Sequence, residues 1–170
     1  MRHTISVLVE NQFGVLSRVA GLFSARGYNI DSLCVGETDE PSISRMTVVV
    51  RGDDRVLQQI INQLNKLVGI IEVTDLTQTD FVERELVMLK MAVSTRERTE
   101  IIEIANIFRA KVVDMGDGAI TVEATGASDK ISAFIDMMRS FNIQELVRTG
   151  RIAIGRSPKA NEKGDGAVYG

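Results

Sequence analysis

Two successive stretches of the chain, residues 3–76 and 85–154, repeat one order of apolar periodicities, and that repetition constrains the fold more than any other feature. In residues 3–10, Ile5, Val7 and Val9 alternate with Thr4, Ser6 and Leu8. A period of two marks a strand. Because both sets are largely apolar, the strand is expected at the centre of a sheet, covered by helices. Residues 14–26 change period: Val15, Val19 and Leu22 form one ridge and Leu16, Ala20 and Phe23 the next. Those are the spacings of a helix with one side on a sheet. Gly27 stands where a helix end needs a left-handed residue. Residues 28–36 and 44–50 read as strands joined by the turn Asp39, Glu40, Pro41, Ser42. Gly52, Asp53 and Asp54 offer an N-cap to a second helix burying Val56, Leu57, Ile60, Ile61, Leu64 and Leu67, and residues 70–76 close the unit as a strand.

The second stretch repeats the pattern. Residues 85–93 read as a strand, and Ser94 with Glu97 matches a capping box ahead of a helix burying Ile101, Ile104, Ala105 and Phe108. Residues 111–115 and 119–125 are strands joined by the hairpin signal Gly116, Asp117, Gly118. Ser128 and Asp129 are expected to cap a helix burying Ile131, Phe134, Ile135 and Met138; residues 143–147 return as a strand that residues 152–154 extend. The expected architecture is α+β: two ferredoxin-like βαββαβ sandwiches in tandem, each with its helices on one face of an antiparallel sheet. The units are placed at residues 1–77 and 81–156. Residues 157–170, rich in Ser, Pro, Lys, Asn, Gly and Asp, are expected to form a disordered tail.

A chain of 170 residues can bury a core without a disulfide or metal staple, and a lone Cys34 excludes an intramolecular disulfide framework. Apolar runs such as Val68, Gly69, Ile70, Ile71 fall far short of the about 20 residues that cross a bilayer. The first residues lack the pattern of a signal peptide. Together these features point to a reducing cytoplasm, with no membrane partner. Lys and Arg total 20 against 23 Asp and Glu, a net charge of −3, which is no footprint for nucleic acid. The absence of Trp leaves little for base stacking.

Catalytic motifs are missing. The sequence contains no phosphate-binding loop, no dinucleotide fingerprint, no H-E-x-x-H and no Cys or His pair at zinc spacing, so no metal site is assigned. The single histidine, His3, and Cys34 read as structural. Asp114 and Asp117 flank a hairpin and do not complete a calcium loop. Arg51, Gly52 and Asp53 are a strand end and a helix cap, and Met88, Met91, Met137 and Met138 core filler. Arg148, Arg151 and Arg156 read as a solvated strand end. With no nucleophile, base and metal together, no catalytic residue is assigned. A binding or regulatory module is favoured over a small enzyme on the same scaffold, which fold alone does not exclude.

One constellation suits a small zwitterion. Residues 11–16 turn the first strand into the first helix, and residues 27–30 lead that helix into the second strand, expected at a sheet edge. A helix start offers N–H groups and a favourable dipole to a carboxylate, and Gly14 lets that backbone approach closely. The side-chain oxygens of Asn11 and Asn29 can accept from an ammonium. Val15, Leu16, Ile30, Leu33 and Val35 are candidates for an apolar lining. Asn11 and Gly14 can equally serve as turn and cap residues only.

At these residues the sequence resembles a known family. Ser6-Val7-Leu8-Val9-Glu10-Asn11 and Gly14-Val15-Leu16-Ser17-Arg18-Val19 are similar to the opening of an ACT domain. Gly21-Leu22-Phe23-Ser24-Ala25-Arg26-Gly27-Tyr28-Asn29-Ile30-Asp31-Ser32-Leu33 resembles, more specifically, the regulatory small subunits of acetolactate synthase. Ser44-Arg45-Met46-Thr47, Gln63-Leu64-Asn65-Lys66-Leu67-Val68 and Val82-Glu83-Arg84-Glu85-Leu86 fit the same family, and Ile107-Phe108-Arg109-Ala110 does so more loosely. The resemblance covers residues 1–156. It implies a first unit that is an ACT domain and a chain without cofactors of its own. A separate catalytic large subunit would carry thiamine diphosphate, magnesium and FAD and condense two pyruvates to acetolactate. It further implies activation of that subunit, feedback inhibition by valine bound at Asn11, Gly14, Val15, Leu16, Asn29 and Ile30, and a homodimer paired through the second strand. The alternative within this reading is a stand-alone ACT-type amino-acid sensor.

Overall fold

The computed structural model describes residues 1–157; the tail expected at 157–170 lies, apart from its first residue, outside the described residues. The first unit comprises β1 (Arg2–Glu10), α1 (Val15–Ala25), β2 (Ile30–Glu37), β3 (Ile43–Arg51), α2 (Asp54–Leu64) and β4 (Ile70–Asp75). The second comprises β5 (Phe81–Ala92), α3 (Thr95–Ile107), β6 (Lys111–Gly116), β7 (Ala119–Gly126), α4 (Ser128–Met138) and β8 (Asn142–Arg148), followed by β9 (Ile152–Gly155). The strand orders are β2-β3-β1-β4 and β6-β7-β5-β8, the same permutation twice, and every pairing is antiparallel.

The expected periodicities produce the two cores. In the first, Ile5, Val7 and Val9 of β1 and Met46, Val48 and Val50 of β3 meet Val15, Val19 and Phe23 of α1 and Leu57, Ile60 and Leu64 of α2. In the second, Val87, Leu89 and Met91 of β5 and Ile120, Val122 and Ala124 of β7 meet α3 and α4, with the Phe108 and Phe134 rings 5.4 Å apart at 57°. Each such side chain taken fully out of water contributes about 1.5–3 kcal/mol, so both units carry a core of their own. Local signals also hold. Ser94 and Glu97 form the reciprocal capping box. Gly27 (φ 68°) closes α1, with its N–H on Ser24 O and the Tyr28 N–H on Phe23 O.

Four expectations need correction. β1 is central, but helices cover only its Ile5, Val7 and Val9 face. On the other face Thr4, Ser6, Thr47 and Val49 are buried without a helix; Arg45 donates to Ser6 Oγ (2.9 Å) and the second unit approaches there. β5 begins at Phe81, four residues before the expected strand. β9 does not extend β8: it pairs with Phe81, Val82, Glu83 and Arg84, the front of β5, whose remainder pairs with β7 and β8. Finally, neither Ser128 nor Asp129 is the N-cap of α4, which falls at Ala127; Asp129, inside the first turn, accepts the Lys130 N–H on its Oδ1 (2.7 Å). Ser128 is the first helical residue and its hydroxyl bonds the Glu85 carboxylate (3.3 Å), while its N–H donates to Glu83 Oε1 (3.3 Å). Carboxylates from β5 thus share the helix start with Asp129.

Candidate functional site

β2 lies at the margin of the first sheet and pairs, among the described residues, only with β3. At its Glu37 end stands the turn into α1. Asn11 is anchored there: its N–H donates to Ser42 O (2.7 Å) and its Nδ2 to Glu37 Oε1 (3.1 Å) and Pro41 O (2.9 Å). Both amide protons are thus engaged, and Oδ1 is left as an acceptor. Gly14 is the N-cap of α1 with φ 84°, a left-handed conformation that a Cβ would strain. No side chain caps this helix and no acid occupies its first turn, in contrast to the Asp53 and Ser94 caps of α2 and α3. The Val15 N–H turns back to Gln12 O (3.4 Å), so the start of α1 presents the Leu16 and Ser17 N–H groups and the positive end of its dipole to whatever carries negative charge there.

The expected site residues are not all at one place within the chain. Asn29 precedes β2 at its other end, where Ile30 faces Val50 and His3 faces the same Val50 from the opposite side. The eight residues of β2, at about 3.3 Å rise per residue, put about 23 Å between its two ends, with Asn11 beside one and Asn29 just before the other. Asn29 is exposed, its Nδ2 on Asp31 Oδ1 (3.3 Å), and its Oδ1 is also left as an acceptor. Ile30 is half-buried against the first core. Val15 is buried in that core, so it offers its peptide group and not a pocket wall. Leu16 and Val35 are exposed. So is Phe13, fully, an aromatic beside Gly14 that sequence reasoning did not single out; an apolar residue in a turn otherwise built from Asn, Gln and Gly was the available signal.

A second arrangement also escaped the sequence. Between the units lies a cleft of about 520 Å3 lined by Arg2, Arg51, Arg148 and Arg151 together with Asp31 and Glu85. Asp31 accepts from Arg51 Nε (2.7 Å) and pairs with Arg2 Nε (3.3 Å). The Arg51 hydrogen bond, aided by the charges of Arg51 and Arg2, holds its carboxyl below the ordinary value against an opposing desolvation. Arg148 grips Glu85 with both carboxylate oxygens engaged, and Arg151 pairs with Glu83 (3.2 Å). Arg148, still 43% exposed, and Arg151, only 15% exposed, are therefore ion-paired within the second unit on the wall of this cleft, so the reading as a solvated strand end fails for Arg151 and holds only in part for Arg148. Glu85 sits in the inward register of Val87, Leu89 and Met91, and a carboxylate in that phase was the signal that a cation waits for it.

His3 is buried with Nε2 on Gly52 O (3.1 Å), and Cys34 is half-buried on the helix-free face of β2. Among the described residues no group of three His, Cys, Asp or Glu side chains is placed to hold a metal ion, and no helix is long and apolar enough to cross a membrane.

Comparison with known proteins agrees with this architecture. Residues 5–72 match the small subunit-like ACT domain of acetohydroxyacid synthase, and residues 84–157 match the small subunit of acetolactate synthase. A probable acetolactate synthase small subunit from Archaeoglobus fulgidus is 53% identical over 94% of this chain and 99% of its own. The acetolactate synthase small subunit from Aquifex aeolicus is 46% identical over 95% of this chain and 85% of its own. The crystal structure of the Thermotoga maritima small subunit superposes with a TM-score of 0.87 at 37% identity, covering 94% and 99% of the two chains. A two-unit chain with an ACT domain first, matched over nearly its whole length by these proteins, belongs to the family of acetolactate synthase regulatory small subunits.

Proposed function

We propose that this chain binds the catalytic large subunit of acetolactate synthase, raises its activity and makes it subject to feedback inhibition by valine, while carrying out no chemistry itself. Thiamine diphosphate, magnesium and FAD belong, on this reading, to the large subunit in the cytoplasm. The observation that carries the effector assignment is the uncapped, Gly14-turned start of α1 beside the open margin of β2. The N–H groups around Val15 and Leu16 receive the valine carboxylate, and amide oxygens receive the ammonium.

The separation of Asn11 from Asn29 supports a site made by two copies. Two β2 margins related by a two-fold axis run antiparallel. Asn29 and Ile30 of the second copy then arrive at the Glu37 end, next to Asn11, Gly14 and the exposed Phe13 and Leu16. Pairing also covers strand-edge N–H and C=O groups that otherwise invite adventitious partners. Valine acts by binding one arrangement of the assembly more tightly than another; a tenfold coupling needs about 1.4 kcal/mol of differential binding.

Reconstitution tests the reading directly. Acetolactate formation by the large subunit is measured alone, with this chain, and with chain and valine. The expected order is a rise on adding the chain and a fall on adding valine. A rate indifferent to both additions rejects the proposal.

A further inference from the structure

The second unit is fastened to the first sheet at two strands, not one. The covalent link holds to central β1: the Leu76 N–H donates to Thr4 O (3.0 Å) and the Thr4 N–H to Thr77 Oγ1 (3.0 Å). The other fastening is the segment between β8 and β9, and it reaches marginal β2. Gly150 lies so close to this strand that a Cβ on it would stand 2.6 Å from Leu33 O, 2.7 Å from Leu33 C and 3.0 Å from Ser32 Oγ. The next N–H, of Arg151, donates to Ser32 Oγ (2.9 Å). The same segment is pinned to Glu83, Glu85 and Leu86 of β5. Arg148 pairs with Glu85, the Thr149 N–H donates to Leu86 O (2.9 Å) while Thr149 Oγ1 accepts from the Leu86 N–H (3.0 Å), and Arg151 pairs with Glu83 (3.2 Å).

We propose that Thr149, Gly150 and Arg151 form a strut that converts a displacement of β2 relative to β1 into a rotation of the second unit. Two rigid attachments to strands that β3 separates in one sheet act as pivot and lever: β1 is the pivot, β2 the arm. Packed contacts of this kind repack between discrete arrangements and do not stretch. The regulatory part of the proposal rests on the reading that the effector binds along β2. Strut residues are none of the effector residues; they are positioning residues that relay a shift made elsewhere.

The test uses the full chain as Ser32→Ala, which deletes the acceptor, and as Gly150→Ala, which drives a methyl into the Leu33 carbonyl. Three quantities are read: valine affinity of the chain by calorimetry, valine inhibition of the reconstituted enzyme, and amide exchange with and without valine. The expected result is unchanged valine affinity and an inhibition weaker by about fivefold or more, a step within ordinary allosteric coupling. Exchange without valine should rise together at residues 30–34 and 148–155 and stay unchanged in α3. Variants inhibited like the natural chain overturn the proposal. Should the natural chain itself bind no valine, the effector reading fails, and exchange alone decides the strut: no joint rise at the two segments overturns it. Should Gly150→Ala not fold, Ser32→Ala decides both readouts.

Discussion

Arg148 closes on the carboxylate of Glu85 at the residue where β5 leaves β9 and takes up β7. The two partners are unequally placed: the Glu85 side chain is 3% exposed and that of Arg148 43%. Loss of the arginine strands a charge in the interior, whereas loss of the carboxylate frees an arginine that water can reach. Arg148→Met is therefore expected to destabilise the protein by about 3 kcal/mol and Glu85→Gln by about 1 kcal/mol, with the double variant less destabilised than Arg148→Met alone. Chemical denaturation of the three variants measures this, and equal costs for the two single changes contradict the asymmetry.

Gly14→Asp is expected to abolish most valine binding. A left-handed φ of 84° costs most L residues about 1–2 kcal/mol, and Asp less than Ala, so Gly14→Ala serves as an upper-limit control for strain. The aspartate adds a carboxylate that competes for the N–H groups assigned to the ligand. Calorimetry should find the Asp variant weaker than the Ala variant by about tenfold, or 1.4 kcal/mol. Equal affinities for the two variants remove the carboxylate from the start of α1.

Ser94→Ala removes one half of the capping box and leaves Glu97 without its hydroxyl partner. The expected loss is about 1 kcal/mol, read from thermal or chemical denaturation. Because Ser94 lies remote from β2, valine affinity should not move; a change in affinity without a change in stability is the contrary result.

Asp31 sets an acid limit. Its folded pKa is depressed, chiefly by the Arg51 hydrogen bond, so the unfolded chain takes up the proton more readily. The resulting stabilisation is complete above the ordinary aspartate value of about 3.9 and is lost as the pH falls toward the folded value. Asp31→Asn is expected to lower stability at neutral pH and to flatten the acid limb below about pH 4. Parallel stability profiles for variant and natural chain speak against any contribution from this group.

Where a signal is local, the sequence carried it. Ile5, Val7 and Val9 declared their strand by alternation, Val15 and Val19 their helix by spacing, and Ser94 its cap by the Glu97 that follows it. What was hidden depends on register between distant segments. Nothing near Ile152 reveals that β9 chooses Phe81 and its neighbours over a continuation of β8. Ser128 looks like a cap until the carboxylates of Glu83 and Glu85 arrive from a strand more than forty residues earlier. The candidate site shows the same division. The chemistry of Asn11, Gly14 and Asn29 could be read one residue at a time, but their placement at opposite ends of β2 follows only once β2 is laid against β3.

The open margin of β2 has a consequence for the lone polypeptide. Phe13, Leu16 and Val35 all reach water around it, and the backbone along it offers a template to any extended segment that passes. On the proposed pairing, dilution returns this margin to water, and losses at low concentration are expected to run through proteolysis and adsorption to surfaces, ahead of unfolding of either core.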